Sequence, residues 1–129
     1  MKLLLDTHVL LWALLEPEKL SPELRHALED SDNTLLVSAA SAWEIATKWR
    51  LGKLQHARSV VENYAMALHR LAAVDLPISG AVARRAGLWD VPHRDPFDRL
   101  LAAQAMADDL VLASTDPAFA HFEGVVTLR

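Results

Sequence analysis

The chain has 129 residues, 52% of them apolar, and its 13 Lys and Arg against 17 Asp and Glu give a formal charge of −4. That length suits one domain, residues 1–129, able to bury a core without a disulfide or structural metal. The absence of cysteine excludes a disulfide scaffold, a thiolate zinc centre, an iron–sulfur cluster and a cysteine nucleophile, and the acidic balance argues against holding nucleic acid by phosphate neutralisation alone.

Met1 to Leu5 opens like a signal peptide, but Asp6 and His8 interrupt the apolar run at once. The longest uncharged stretch, Asn33 to Trp43, has 11 residues and is too short to span a bilayer. The expectation is a cytoplasmic protein with no membrane segment.

Leu3-Leu4-Leu5 reads as a first strand, and Ser21-Pro22-Glu23 opens a helix with a cap and a first-turn proline. Leu35-Leu36-Val37 is a second strand. The helix that follows, from about Ala40 to Leu51, carries an apolar stripe of Ala42, Ile45, Ala46 and Trp49. Periodicity therefore puts Glu44 on the opposite, solvated side beside Ser41 and Lys48. An exposed Glu44–Lys48 pair there contributes about 0.3–0.5 kcal/mol. Between Glu44 and Glu62 there is no acid, while Lys48, Arg50, Lys53 and Arg58 supply four positive charges.

Val60, Val61, Tyr64, Ala65, Leu68 and Leu71 form one helical stripe, followed by a weak third strand at Ala72-Ala73-Val74. Residues 79–86 read as a helix ended by Gly87. Asp95-Pro96-Phe97-Asp98 opens another, apolar almost all round and running to about Ala107. Leu110 to Ala113 and Val125-Val126 complete the strands. Continuous apolar runs suit strands buried on both faces. Their alternation with helices predicts a three-layer α/β/α domain with a mostly parallel central sheet of about five strands.

In such sheets ligands gather at the carboxyl ends of the strands. Asp6 directly follows the first strand and Asp116 follows the fourth, while Asp98 opens the helix that feeds it. Each also reads as part of a helix cap. Setting aside Asp6, Glu44, Asp98 and Asp116 leaves 13 acids, equal to the 13 Lys and Arg, so the whole net charge fits in one pocket. Clustered carboxylates repel unless protonated or neutralised. Hard oxygen ligands without cysteine favour Mg²⁺ or Mn²⁺, ions that activate water and stabilise the leaving oxygen of a phosphodiester. Other chemistries lack their residues. The four glycines are scattered, no Gly-x-Ser-x-Gly occurs, and the six histidines show no paired ligand spacing. His8 reads as a structural histidine.

Four segments together resemble the PIN domain family: Leu3-Leu4-Leu5-Asp6-Thr7-His8, Ser38-Ala39-Ala40-Ser41-Ala42-Trp43-Glu44-Ile45, Asp95-Pro96-Phe97-Asp98-Arg99-Leu100, and Ser114-Thr115-Asp116-Pro117. Their acids lie 38, 54 and 18 positions apart, in the family's order. Length and the Asp-Pro-Phe-Asp-Arg segment look most like VapC-type toxins of type II toxin–antitoxin modules. The resemblance implies a Mg²⁺-dependent endoribonuclease that hydrolyses RNA to 5′-phosphate and 3′-hydroxyl ends, a homodimer, and inhibition by a VapB-like antitoxin. It implies Asp6, Glu44, Asp98 and Asp116 as the acidic cluster, with Asp6 and Asp98 as direct metal ligands and Glu44 and Asp116 contributing through water or a second ion. Thr7, Ser41 and Thr115 become supporting hydroxyls, and Asp95 remains a helix cap. Lys48, Arg50, Lys53, Arg58, Arg94 and Arg99 become a basic rim for RNA. Helices bearing Trp12, Trp43 and Trp49 become the antitoxin's apolar anchor. Two rivals stand beside this reading. A PIN-fold binding module without catalysis fits poorly with all four acids present. A haloacid-dehalogenase-like phosphohydrolase needs a second Asp at position 8, where this chain has His.

Overall fold

In the computed structural model, which describes residues 1–129, five strands, β1 (Lys2–Leu5), β2 (Thr34–Ser38), β3 (Ala73–Leu76), β4 (Val111–Ala113) and β5 (Thr127–Leu128), lie side by side in the order β3-β2-β1-β4-β5, and every pairing is parallel. The centre is β1 (Lys2–Leu5), where Leu3, Leu4 and Leu5 are fully buried. Strand pleating sends alternate side chains to opposite faces. Leu3 and Leu5 join one core with α1 (Thr7–Leu15), α2 (Pro22–Glu29), Leu35 and Val37 of β2 (Thr34–Ser38), and Ile45 of α3 (Ala39–Arg50). Leu4 faces a second core with Leu101, Ala102 and Ala105 of α7 (Pro96–Ala107), Leu112 of β4 (Val111–Ala113), Phe119 and Phe122. Two cores on two faces make the three layers.

The path from β1 through β2 to β3 (Ala73–Leu76) crosses one face; the return to β4 crosses the other through α6 (Gly80–Leu88) and α7. The winding reverses at β1, between β2 and β4, and the carboxyl ends of those strands open at the switch point. Helix starts are capped as their sequences predict. The Leu24 N–H donates to Ser21 Oγ at 3.1 Å, and the Phe97 N–H donates to Asp95 Oδ1 at 2.8 Å. No helix is long and apolar enough to cross a membrane.

Four expectations change in detail. The stripe at 60–71 belongs to two short helices, α4 (Arg58–Glu62) and α5 (Tyr64–Arg70), because Asn63 leaves helical geometry (φ −132°, ψ 54°). The break lets Val60 and Leu68 share one core while Ala65 stays exposed. The outer strands are not buried on both faces: β3 is an edge, and its Val74 is exposed. The last strand, β5, is Thr127–Leu128 and not Val125-Val126. Finally, α6 runs through Gly87; its last carbonyls are taken by an arginine from α7 rather than by a glycine turn.

Candidate functional site

Asp6 is the residue at which β1 ends and α1 begins. The β1–β4 register pairs Leu4 with Leu112 and Leu5 with Ala113, so Asp6 and Ser114 come next and emerge on the same face. Ser114 Oγ donates to Asp6 Oδ2 at 2.6 Å, and the Thr7 N–H donates to Asp6 Oδ1 at 2.7 Å. His8 Nδ1 stands 3.0 Å from the same Oδ2, and its Nε2 lies 2.9 Å from Thr115 Oγ1. Asp6 is thus both a helix cap and the hub of a network joining two strand ends. Burial pulls the His8 imidazole down, but its hydrogen bond to Asp6 and the charges of Asp6, Asp116 and Asp98 outweigh this and raise its pKa.

Glu44 overturns the periodicity reading. The side of α3 turned inward carries Ala40, Ser41, Glu44 and Ile45, while Ala46 is exposed. The helix packs against both α1 and α7, so its inner surface serves a core at Ile45 and a polar cleft at Glu44. Glu44 is only 5% exposed, and Lys48 Nζ donates to its Oε2 at 2.6 Å. The expected i,i+4 pair exists, but its acid is inside. Lys48 loses from desolvation, yet Glu44, Asp95 and Asp98 together raise its pKa. Thr7 Oγ1 and Ser41 Oγ bond each other at 2.9 Å, tying α1 to α3 without touching a carboxylate.

Asp98 lies in the first turn of α7, its Oδ2 2.8 Å from His93 Nε2. Burial pushes the Asp98 carboxyl up to about 6; His93 opposes the rise, and the charges of Asp95 and Asp6 add to it. Asp116 caps a short turn at Pro117–His121 by accepting the Ala118 N–H at 2.9 Å, and its own N–H donates to Ser114 Oγ. Capping is therefore real at Asp6, Asp95 and Asp116, and it does not compete with a shared site.

Asp6, Glu44, Asp98 and Asp116 line one cavity of about 220 Å³, together with His8 and Lys48. Asp95, expected only as a cap, also lines it. As oriented here, no three of these side chains converge in ligand geometry. Lys48, His93 and the Ala118 N–H each engage one oxygen of Glu44, Asp98 and Asp116, leaving the second without a protein partner. In charge and donor chemistry the set fits a hard divalent cation. Reaching a shared ion requires the carboxylates to turn from their present partners.

The basic residues divide. Lys48 lines the cavity; Arg50, Lys53 and Arg94 are exposed; Arg58 is exposed but donates to Glu62 at 2.8 Å. Arg99 does not belong to the rim, because its guanidinium turns inward onto main-chain carbonyls. Among the tryptophans, Trp43 is 59% exposed and meets Phe97 edge-on at 4.9 Å, while Trp12 and Trp49 are half-buried. Sequence reasoning missed Ser114 and His93. Ser114 was open to discovery from strand pairing, since it stands beside Asp6 once β1 and β4 are neighbours. His93 lies in an irregular connection, where no periodicity points to it.

Ribonuclease VapC16 of Mycobacterium tuberculosis (strain ATCC 25618 / H37Rv) is 59% identical over 32 residues, which is 25% of this chain and 23% of that protein's length. The fold is similar to that of VapBC2 from Rickettsia felis bound to a DNA fragment from its promoter, with a TM-score of 0.73 and 16% identity, covering 99% of this chain and 98% of that one. It is also similar to DNA-bound VapBC from Salmonella typhimurium, with a TM-score of 0.69 and 16% identity over 99% and 97% of the two chains. All four acids fall within residues 3–125, the span matched by the PIN domain family, and the chain belongs to that family.

Proposed function

We propose that this protein is a metal-dependent endoribonuclease, the VapC-like toxin of a type II toxin–antitoxin module. The observation that carries the reading is the lining of one cavity by Asp6, Glu44, Asp98 and Asp116, drawn from four separate segments. Membership of the PIN domain family and the local identity to a VapC ribonuclease support it.

Asp6 and Asp98 are the residues we assign to hold Mg²⁺ or Mn²⁺, with Glu44 and Asp116 completing the negative field. A bound divalent cation supplies a water made nucleophilic at neutral pH and a counter-charge for the phosphodiester. The chain's own residues prepare that site. Ser114 and His8 orient Asp6, Lys48 fixes one oxygen of Glu44, and the Ala118 N–H fixes one oxygen of Asp116. Arg50, Lys53 and Arg94, exposed and without ion pairs, are suited to the RNA backbone and offset the repulsion of an acidic cleft.

Purified protein given Mg²⁺ or Mn²⁺ is expected to cut RNA, and EDTA to stop it. Asp6→Asn and Asp98→Asn are expected to abolish cleavage with the fold intact by circular dichroism. Undiminished cleavage in either variant removes that residue from the site. A homodimer and a VapB-like antitoxin belong to the same reading. The antitoxin would bring a basic side chain to the four acids and rest apolar residues on the helices bearing Trp12, Trp43 and Trp49.

A further inference from the structure

Five main-chain carbonyls converge on one side chain behind the carboxylate cavity. Arg99 Nε donates to the Ala86 carbonyl at 2.8 Å. Nη1 donates to the carbonyls of His93 at 2.7 Å and Val91 at 3.3 Å, and Nη2 to those of Gly87 at 3.4 Å and Trp89. A guanidinium has five N–H groups in a fixed plane, and here the chain from 86 to 93 supplies five acceptors. Arg99 makes no salt bridge. All of its donors serve the end of α6 and the connection that follows, a stretch with no strand or helix of its own from Trp89 to Asp95.

That connection carries His93, whose backbone and ring are both fixed. Arg99 holds its carbonyl, while its ring stacks on Phe119 at 6.4 Å and meets Phe122 edge-on at 5.4 Å. Both phenylalanines are buried. From this seat His93 Nε2 reaches Asp98 Oδ2 at 2.8 Å. An ionised carboxylate only accepts, so Nε2 is then the donor. Asp98 and Arg99 are consecutive on α7, so the acid and the clamp that presents its partner share one helical turn.

We propose that Arg99 and His93 are positioning residues for Asp98: Arg99 sets the 86–93 segment, and that segment sets the His93 ring so that it holds one oxygen of Asp98 and leaves the other for the cavity. Lysine cannot substitute, because three tetrahedral N–H groups do not reach five carbonyls around a plane. The inference rests on the metal-site reading of Asp98 and adds a device to it.

The test measures Mn²⁺ affinity by calorimetry on the whole protein, with folding checked by circular dichroism. Wild type is compared with Asp98→Asn, His93→Ala, His93→Gln, Arg99→Lys and the His93→Ala/Arg99→Lys double variant. Removing a partner that orients a ligand commonly lowers metal affinity about 10- to 100-fold. His93→Ala is expected to show a loss in that range, and His93→Gln, which restores an N–H at similar reach, to recover most of it. Arg99→Lys is expected to lose affinity too, and the double variant no more than the worse single. In RNA cleavage the loss is expected in kcat, with KM unchanged. Unchanged Mn²⁺ affinity in folded His93→Ala, or no recovery in His93→Gln, overturns the proposal, and this pair decides alone where Arg99→Lys fails to fold. Unchanged affinity in Asp98→Asn would instead overturn the metal-site reading on which it rests.

Discussion

Asp98 shows what one residue contributes when it is placed against its own preference. Its carboxyl is raised from an ordinary 3.8 to about 6, first by burial and then by neighbouring acids, with His93 pulling the other way. A raised acid binds its proton more readily in the folded state, so its ionisation costs stability. In metal-free protein this contribution favours folding below about pH 4 and is lost as the pH rises through about 6. Asp98→Asn removes the titration. Denaturant unfolding in EDTA should find the variant more stable than wild type at pH 7, with the gap closing towards pH 4; parallel curves over that range would contradict the assignment. The same residue marks a limit of sequence reading. Asp95 and Asp98 look alike as a capping pair, and only the folded chain shows that Asp95 takes both helix N–H groups while Asp98 turns to His93.

At the scale of elements, capping and clustering act through the same side chains, and substitution can separate them. Asp116 caps the Pro117–His121 turn and lines the cavity. Asp116→Ala removes the cap and should cost about 0.5–2 kcal/mol of metal-free stability. Asp116→Asn keeps a capping oxygen and removes only the charge, so it should be neutral or stabilising. Equal losses in thermal unfolding of the two variants would mean that the capping oxygen contributes nothing, and a loss in Asp116→Asn would mean that repulsion in the cavity is negligible. The central strands were legible in sequence because Leu3-Leu4-Leu5 is buried on both faces, and Leu35-Leu36-Val37 is buried on one and half-buried on the other through Leu36. The edges were not: β3 and β5 lack that pattern, and two-residue pairing at Thr127–Leu128 leaves no periodic signal. On α3 the apolar stripe pointed Glu44 to solvent because hydrophobic periodicity assumes a purely apolar interior. A helix that lines a polar cleft breaks that assumption, and only the family resemblance moved Glu44 inward.

For the whole molecule, topology explains why residues separated by up to 110 positions face one another. The winding reverses at β1, so the ends of β1 and β4 open side by side, and α3 and α7 close the sides with Glu44 and Asp98. His8 stands in the field of Asp6, Asp116 and Asp98, and Lys48 in that of Glu44, Asp95 and Asp98, so acids from separate segments raise the pKa of each. On the proposed toxin reading, the acidic cleft and the exposed Trp43 are what a VapB-like antitoxin would grip. Reversing the charge of the antitoxin's basic residue should restore nuclease activity while the complex still co-purifies. Dissociation of the complex would make that contact the main anchor and displace the tryptophan-bearing helices from that role.

The proposed chemistry turns on whether the four carboxylates act as one cation site. The direct measurement is the melting temperature of EDTA-stripped protein during Mn²⁺ titration, for wild type and for Asp6→Asn, Glu44→Gln, Asp98→Asn and Asp116→Asn. A ligand that binds only the folded state raises the melting temperature with its concentration. One shared cation site predicts a saturable rise in wild type, a rise nearly absent in Asp6→Asn and Asp98→Asn, and a weakened one in Glu44→Gln and Asp116→Asn. No rise in wild type, or the same rise in all five proteins, would contradict it.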